Sequence, residues 1–373
     1  MQKSIKILAN DLTTSKIARV VSDGSQEIGQ DNIATLVAPS NKNGNISLRV
    51  LWNNIPHLIE LEANSDDICI DDVILINPKA KKVRILFRHG SNSNTIFATS
   101  RCNSLCLMCP QPPKESEEVD FGQLIEQIKA LPENVEELCI TGGEPTLLGD
   151  KFIELLKLLA ASQPDCHVHV LSNARACCSL KFAKSIAEVG ISNLSFGIPL
   201  YSADANRHDF IVQHSGAFDE TISGIYNLAR FGINIEIRIV LHKQTYKELK
   251  LLSQFIYNRM PYASHVAFMA MEHMGFVKKY WDILWINPRD YSNELYDSIR
   301  YLHRRGIHCS IYNLPYCLCS KSLWPFLRNS ISDYKVDYKD TCHFCVKKNN
   351  CGGLFHYQIN AMPITPILGN EMG

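Results

Sequence analysis

The feature that most constrains the fold is a regular alternation of strand and helix patterns between about residues 93 and 306. Six short apolar runs predict strands, and a segment with helical periodicity follows each of them. The predicted strands are "NTIFATS", "ELCITGG", "HVHVLSN", "NLSFGIPL", "INIEIRIVL" and "HVAFMAM". Consecutive strand–helix units predict a parallel sheet with right-handed crossovers. We therefore expect an α/β fold, a partial (β/α)6 barrel whose reactive site lies at the carboxyl ends of the strands.

The regions on either side of this alternation have different sequence patterns. Residues 1–88 contain short alternating runs such as "KIARVVS", "NISLRVLW" and "KVRILF", which predict a β-rich N-terminal domain. From residue 307 to residue 373, Cys, Tyr and Pro replace the alternation and indicate a C-terminal module organised by metal. The expected domains are therefore 1–88, 89–306 and 307–373.

Composition and charge exclude several classes of function. The 373-residue chain has a formal net charge of zero, which gives no electrostatic case for binding nucleic acid or an anionic membrane. No segment reaches the roughly 18 to 20 apolar residues needed to cross a bilayer, and the first residues show no signal-peptide pattern. We expect a cytoplasmic protein. In a reducing compartment its fourteen cysteines indicate metal or redox chemistry before disulfides.

The first cysteine cluster follows the first predicted strand. Cys102, Cys106 and Cys109 form a C-x3-C-x2-C motif in "SRCNSLCLMCPQPP". A structural zinc site needs four ligands, usually in two separated pairs, whereas three thiolates leave one iron of a four-iron cluster without a protein ligand. An open coordination position suits metal chemistry on a substrate.

The second predicted strand ends in Gly-Gly-Glu-Pro. Gly142 and Gly143 allow close backbone approach to a ligand, and Glu144 offers a carboxylate to an ammonium group. Because carboxyl ends of neighbouring parallel strands share one edge, this motif is expected to face the cysteine cluster.

Together the two motifs resemble those of the radical S-adenosylmethionine (SAM) superfamily. The resemblance implies that Cys102, Cys106 and Cys109 bind a [4Fe–4S] cluster whose open iron is chelated by SAM. It implies reductive cleavage of SAM to a 5′-deoxyadenosyl radical that abstracts hydrogen from a substrate. It also nominates SAM contacts at the ends of predicted strands two to five, namely Gly142, Gly143, Glu144, Ser172, Asn173, Ser195 and Arg238. An inward Arg238 in an apolar strand needs an anionic partner.

A second cysteine cluster lies near the C-terminus. Cys342, Cys345 and Cys351 form C-x2-C-x5-C, and Cys317, Cys319 and Cys309 are candidates for a fourth ligand. Four thiolates satisfy either zinc or a [4Fe–4S] cluster. The pattern resembles the auxiliary-cluster extensions of peptide-modifying radical SAM enzymes. The segments "NLPYC", "LWPF" and "SISDYK" favour Cys317 by the same resemblance, with Cys319 as the alternative.

The ordered set of motifs, with "HDFIVQHSGAFDETISGI", "RIVLHKQT" and "CGGLF", resembles the His-Xaa-Ser system radical SAM maturases of the HxsC type. This resemblance implies post-translational modification of a peptide with His-Xaa-Ser repeats, a companion radical SAM maturase, and an electron donor of the flavodoxin or ferredoxin type. Two alternatives remain open: a radical SAM enzyme acting on a small molecule, and a zinc-stabilised binding protein.

Overall fold

Two β-structures dominate the computed structural model, an N-terminal closed barrel and a central parallel sheet. The structure describes residues 4–10, 12–22, 33–37, 46–52, 55–63, 65–114, 119–329, 336–355 and 362–368.

Seven N-terminal strands close into a barrel in the spatial order β1-β5-β4-β3-β2-β6-β7. Their bounds are β1 (Ser4–Ala9), β2 (Lys16–Ser22), β3 (Ile33–Val37), β4 (Ile46–Trp52), β5 (Ile55–Glu62), β6 (Val73–Asn77) and β7 (Lys82–Phe87). All neighbours are antiparallel except β2 and β3, which pair in parallel. Alternating residues fill the interior, among them the fully buried Val20, Leu48, Ile59 and Ile74. The β-rich character predicted for this region is confirmed, and closure removes the free strand edges.

The central sheet is parallel throughout and has seven strands in sequence order. They are β8 (Thr95–Thr99), β9 (Glu137–Gly142), β10 (His167–Leu171), β11 (Leu194–Pro199), β12 (Asn234–Leu241), β13 (His265–Ala270) and β14 (His308–Tyr312). The first six are the strands predicted from the sequence, and β8 and β14 form the two edges. The predicted partial barrel is confirmed.

Helices connect these strands. Their bounds are α1 (Phe121–Lys129), α2 (Asp150–Ser162), α3 (Leu180–Ala187), α4 (Ala205–Val212), α5 (Ala217–Arg230), α6 (Leu249–Arg259), α7 (Trp281–Leu284) and α8 (Ser292–His303). Asp120 caps α1 by accepting a hydrogen bond from the amide of Gly122 at 2.9 Å. The sequence predicted six of these helices, and α4 and α7, of 8 and 4 residues, were not predicted.

One strand of the sheet comes from outside the predicted alternation. β14 lies in residues 307–373, the segment assigned to the C-terminal module, yet Val266 of β13 pairs in parallel with Cys309 of β14. The parallel sheet therefore continues past residue 306, the expected end of the partial barrel.

The two faces of the sheet have different chemistry. In β12, Ile235, Ile237 and Ile239 are buried against the helices, while Glu236 and Arg238 alternate with them on the inner face. Because side chains alternate along a strand, β12 contributes to the apolar core on one face and to a polar lumen on the other.

Two short C-terminal strands, β15 (Val336–Asp337) and β16 (Leu354–Phe355), pair with each other. Among the helices in the described ranges, none is long and apolar enough to cross a bilayer.

Candidate active site at the carboxyl edge of the parallel sheet

The three cysteines of the first motif lie in one loop directly after β8. Cys102, Cys106 and Cys109 are half-buried, and residues 100–110 are called the cysteine loop below. A turn within it brings the amide of Cys109 to the carbonyl of Cys106 at 3.0 Å. Because β8 belongs to the parallel sheet, this loop lies at the carboxyl edge of the sheet.

Neighbouring segments hold the cysteine loop on two sides. The amide of Leu107 donates to the carbonyl of Ile211 in α4 at 2.9 Å, and the amide of Phe276 donates to the carbonyl of Cys109 at 2.9 Å. Gly275, with a φ of 58°, lies against Cys109 so closely that an added Cβ would collide with its carbonyl oxygen. The loop after β13 is therefore part of the site.

Gly142 and Gly143 pack against the backbone of the cysteine loop. A Cβ on Gly142 would collide with the carbonyl of Thr99, and one on Gly143 would collide with the carbonyl of Arg101. The amide of Gly143 donates to Thr99 at 2.7 Å. The chain itself therefore makes a close approach at both glycines, and the approach of a ligand to them stays a prediction.

Glu144 joins the ends of β9 and β10. Its side chain is 1% exposed. One carboxylate oxygen accepts from the amide of Thr146 at 3.0 Å, from its hydroxyl at 2.6 Å, and from the hydroxyl of Ser172 at 2.7 Å. The other accepts from the amide of Asn173 at 2.6 Å. Burial raises the pKa of Glu144 although these hydrogen bonds act in the opposite direction.

Ser172 and Asn173 follow β10 directly, at the expected strand end. The amide nitrogen of the Asn173 side chain donates to the side-chain oxygen of Asn103 in the cysteine loop at 2.7 Å. Five nominated residues therefore adjoin the cysteine loop or the end of β9, namely Gly142, Gly143, Glu144, Ser172 and Asn173.

Ser195 has a different place from the one expected. It is the second residue of β11, which continues to Pro199, so it does not lie at a strand end. Its hydroxyl lies 2.8 Å from Nε2 of His167 and 2.8 Å from Nδ1 of His169. The expectation that Ser195 stands at the carboxyl edge is corrected, because the strand extends four residues beyond it.

Arg238 lies within β12 and faces the lumen. Its guanidinium donates to Oε1 of Glu236 at 2.8 Å, so the anionic partner that the sequence required is a neighbouring residue of the same strand. The other oxygen of Glu236 lies 2.7 Å from Nδ1 of His265. Burial raises the pKa of Glu236, but the hydrogen bond from His265 and the charge of Arg238 outweigh it and hold this pKa at about 2.

The thiols of the cysteine loop must lose their protons before they can bind a metal group. Burial raises the pKa of Cys102 to about 11 and also raises the pKa of Cys106 and Cys109. Without metal these side chains are protonated at neutral pH, and metal binding must release their protons. Three thiols in one loop match the ligand count of a four-iron cluster that keeps one iron open.

Four cysteines of the C-terminal region line one cavity that is partly open to solvent. They are Cys317, Cys342, Cys345 and Cys351. Cys319 does not line this cavity, and its thiol lies 3.7 Å from the carbonyl of Tyr316. Cys309 is buried in β14 against the central core. The segment "SISDYK", residues 330–335, lies outside the described residues.

Two residues near the site were missed in the sequence. Tyr201 and His242 are buried just beyond β11 and β12, with ring centroids 6.4 Å apart. Burial, with the neighbouring thiols of Cys106 and Cys109, raises the pKa of Tyr201 well above its usual value. Nε2 of His242 has no hydrogen-bond partner among the described residues. In the sequence each of them is a polar residue within two positions of a predicted strand end, and this feature could have identified them.

Residues 96–256 match the family model of the Radical SAM superfamily. The class of domain that this fold and this site define is the Radical SAM superfamily domain. Domains of this class bind a [4Fe–4S] cluster and SAM, and the thiols of the cysteine loop fit the cluster in number.

Named relatives cover parts of the chain. GTP 3′,8-cyclase from Campylobacter jejuni subsp. doylei is 28% identical over 196 residues, which cover 50% of this chain and 59% of that enzyme. A probable GTP 3′,8-cyclase from Methanocella arvoryzae is 30% identical over 159 residues, covering 41% of this chain and 48% of the relative. The match thus spans less than two thirds of the length of these relatives.

Solved structures share the fold. The structure of anSMEcpe with bound AdoMet covers 74% of this chain and 88% of its own, with a TM-score of 0.52 and 12% sequence identity. Streptococcus suis SuiB bound to the precursor peptide SuiA has a TM-score of 0.47 and 16% identity, covering 58% of this chain and 48% of its own. At such identities the similarity concerns the fold.

Proposed function

We propose that this protein cleaves SAM reductively and uses the resulting chemistry to modify a peptide substrate. The observation that carries the proposal is the joining of the cysteine loop to the Gly-Gly-Glu end of β9: the amide of Gly143 binds the carbonyl of Thr99, and that of Glu144 binds the carbonyl of Arg101. When bound, the cluster and SAM supply a 5′-deoxyadenosyl radical that abstracts hydrogen from the substrate.

In this proposal the chain positions the reactants. Cys102, Cys106 and Cys109 hold the cluster, and Gly142, Gly143 and Glu144 contact the methionine part of SAM. Ser172 and Asn173 are proposed to contact its ribose or adenine. Glu144 keeps capacity for a further donor at the carboxylate oxygen that accepts only from the amide of Asn173. Ser195 and Arg238 are proposed as SAM contacts farther from the cysteine loop, because both side chains belong to the polar network of the lumen.

We propose a second, auxiliary [4Fe–4S] cluster in the C-terminal cavity. Its support is that Cys317 lines the same cavity as Cys342, Cys345 and Cys351, although at least 25 residues separate it from them in the sequence. Four thiolates would also hold zinc, so metal analysis must separate the two. A division into a β-rich domain 1–88, a catalytic domain 89–306 and an auxiliary module 307–373 belongs to the same proposal, although β14 at the start of the last segment is a strand of the parallel sheet.

The proposed substrate is a peptide with His-Xaa-Ser repeats. The support is the ordered set of motifs that resembles the His-Xaa-Ser system maturases of the HxsC type, from the cysteine loop to "CGGLF". A companion radical SAM maturase and an electron donor of the flavodoxin or ferredoxin type belong to the same proposal, as does a cytoplasmic location.

A small-molecule substrate is the second candidate. It is favoured by the curated relatives, which are named GTP 3′,8-cyclase.

The cluster assignment is tested by iron and sulfide analysis after oxygen-free reconstitution. The wild-type protein should carry about eight irons, and a Cys102→Ala, Cys106→Ala, Cys109→Ala triple variant about four. The triple variant should form no 5′-deoxyadenosine from SAM with dithionite. Cys309→Ala is the control, because its buried thiol lines neither site, and it should retain iron and SAM cleavage. Undiminished SAM cleavage in the triple variant contradicts the proposal, and zinc without sulfide contradicts both clusters.

The substrate assignment is tested by mass spectrometry. A His-Xaa-Ser repeat peptide co-produced with the wild-type protein should change mass, and the same peptide co-produced with the triple variant should not. The purified enzyme is separately incubated with GTP, SAM and reductant. A new product from GTP together with an unchanged peptide would favour the small-molecule candidate and reject the peptide proposal.

A further inference from the structure

Polar groups between Cys102 and Cys106 in the cysteine loop form hydrogen bonds with a residue outside the loop. The carbonyl of Asn103 accepts a short hydrogen bond from Nη1 of Arg175, and the hydroxyl of Ser104 lies 3.1 Å from the same nitrogen. Ser104 is 5% exposed. Buried backbone carbonyls without a partner are costly, so the guanidinium stabilises this particular course of the loop.

Arg175 is itself held on several sides. Its side chain is 6% exposed, its Nε lies 2.6 Å from Oε2 of Glu220 in α5, and its Nη2 lies 3.0 Å from Nδ1 of His214. Its backbone amide donates to the side-chain oxygen of Asn173 at 3.0 Å. The planar fork of an arginine can bridge such separate acceptors, whereas a lysine presents a single nitrogen.

Electrostatics adds a second consequence. The Arg175 guanidinium contacts Asn103 and Ser104, which lie between Cys102 and Cys106 in the loop. Its charge acts to lower the pKa of both thiols, although burial outweighs it. A buried positive charge beside a cluster favours the state with one more electron, because interactions between charges are strong where water is excluded. Glu220, whose side chain is 42% exposed, opposes this effect from the other side of the guanidinium.

We propose that Arg175 is a positioning residue that holds the cysteine loop in its cluster-binding shape before iron binds, and that its charge raises the reduction potential of the cluster. This inference rests on the proposed function only in assuming that Cys102, Cys106 and Cys109 bind a cluster. The part that concerns the loop is a property of the apoprotein.

Four variants separate the two effects. Arg175→Gln removes the charge and the fork, Arg175→Lys keeps the charge and loses the fork, and Glu220→Gln removes the opposing charge. Arg207→Gln is the matched control, because in the described part of the chain Arg207 forms a 2.9 Å ion pair with Glu248 and hydrogen bonds with Asp204 and Gln244, none of which belongs to the cysteine loop. Hydrogen exchange of residues 103–107 is measured in the apoprotein, and the reduction potential is measured by EPR on the signal that changes when SAM is added.

In Arg175→Gln, exchange protection should fall about tenfold or more, since a hydrogen bond from a charged donor contributes on that order. The reduction potential should become more negative. Arg175→Lys should lose protection but keep a potential closer to wild type, and Glu220→Gln should shift the potential upward with protection retained. Arg207→Gln should match wild type in both measurements.

Wild-type protection and an unchanged potential in Arg175→Gln would overturn the inference. If that variant does not fold, unchanged protection in Arg175→Lys together with an unchanged potential in Glu220→Gln would overturn it. A wild-type protein that binds no iron would instead reject the proposed function, while the exchange measurement would still decide the role of Arg175 in the loop.

Discussion

His169 of β10 and Glu236 of β12 lie 3.8 Å apart, from Nε2 to Oε1, although β11 runs between their strands. The contact is possible because the intervening residue of β11 is Gly197. A Cβ at this position would lie 2.8 Å from Nε2 of His169 and 3.0 Å from Cδ of Arg238. The polar network of the lumen therefore depends on the absence of a side chain at Gly197.

Gly197→Ala should destabilise the protein by about 1–3 kcal/mol, since it forces a methyl group into a packed site. Denaturant unfolding of the variant and wild type gives the difference. Gly122→Ala is the control, because a Cβ there meets only the flexible side chain of Asp120 at 3.3 Å and lies in a helix. Equal stability of the Gly197→Ala variant and wild type would contradict the packing argument.

The stability of the protein should fall as the pH decreases from 7 to 5. Burial lowers the pKa of His169 and His208 to about 4 and that of His242 to about 3. The unfolded chain therefore binds more protons than the folded one over this range, and acid favours unfolding by about 2 kcal/mol for each such histidine. Glu236, with a pKa of about 2, stays ionised in the folded state at both pH values.

The pH effect is checked with His242→Leu, which removes one of these groups. Its loss of unfolding free energy between pH 7 and pH 5 should be smaller than that of wild type by about 2 kcal/mol. His303→Leu, at an exposed position of α8, is the control and should show the wild-type loss. A His242→Leu variant with the same pH dependence as wild type would show that burial of this ring does not control its protonation.

Glu144→Gln should weaken SAM binding and reduce the stability of the apoprotein by roughly 1–3 kcal/mol. The side-chain amide of Gln must direct its donor nitrogen at a backbone amide that is itself a donor, either that of Thr146 or that of Asn173. Thermal unfolding and equilibrium SAM binding are the measurements. Ser172→Ala removes one donor and keeps the carboxylate, so it should lose less of both. Normal SAM affinity in Glu144→Gln would count against a role of its charge.

Cys317→Ala should lose the irons of the auxiliary cluster, and Cys319→Ala should keep them. The reason is that Cys317 lines the cavity formed by Cys342, Cys345 and Cys351, whereas Cys319 lies outside its lining. Iron content and EPR of the reduced proteins, both prepared without oxygen, give the comparison. The opposite result would assign the fourth ligand to Cys319.

The strands and most helices of the central sheet follow from local patterns, because periods of two and about 3.6 residues depend only on near neighbours in the chain. "INIEIRIVL" predicted β12 and even its inward charge, Arg238. The cysteine loop and the Gly-Gly-Glu motif were also visible, since each is contiguous in sequence. The Radical SAM class of the domain could therefore be predicted before the fold was seen.

The tertiary structure decided which distant segments meet. In the folded chain Cys317 lines the C-terminal cavity, β14 joins the parallel sheet, Ser195 lies in the lumen, and Arg175 contacts the cysteine loop. These pairings are decided by packing of residues far apart in the chain, where no local period carries information. The amino-acid sequence alone defined the reactive groups, and only the folded chain determined their neighbours.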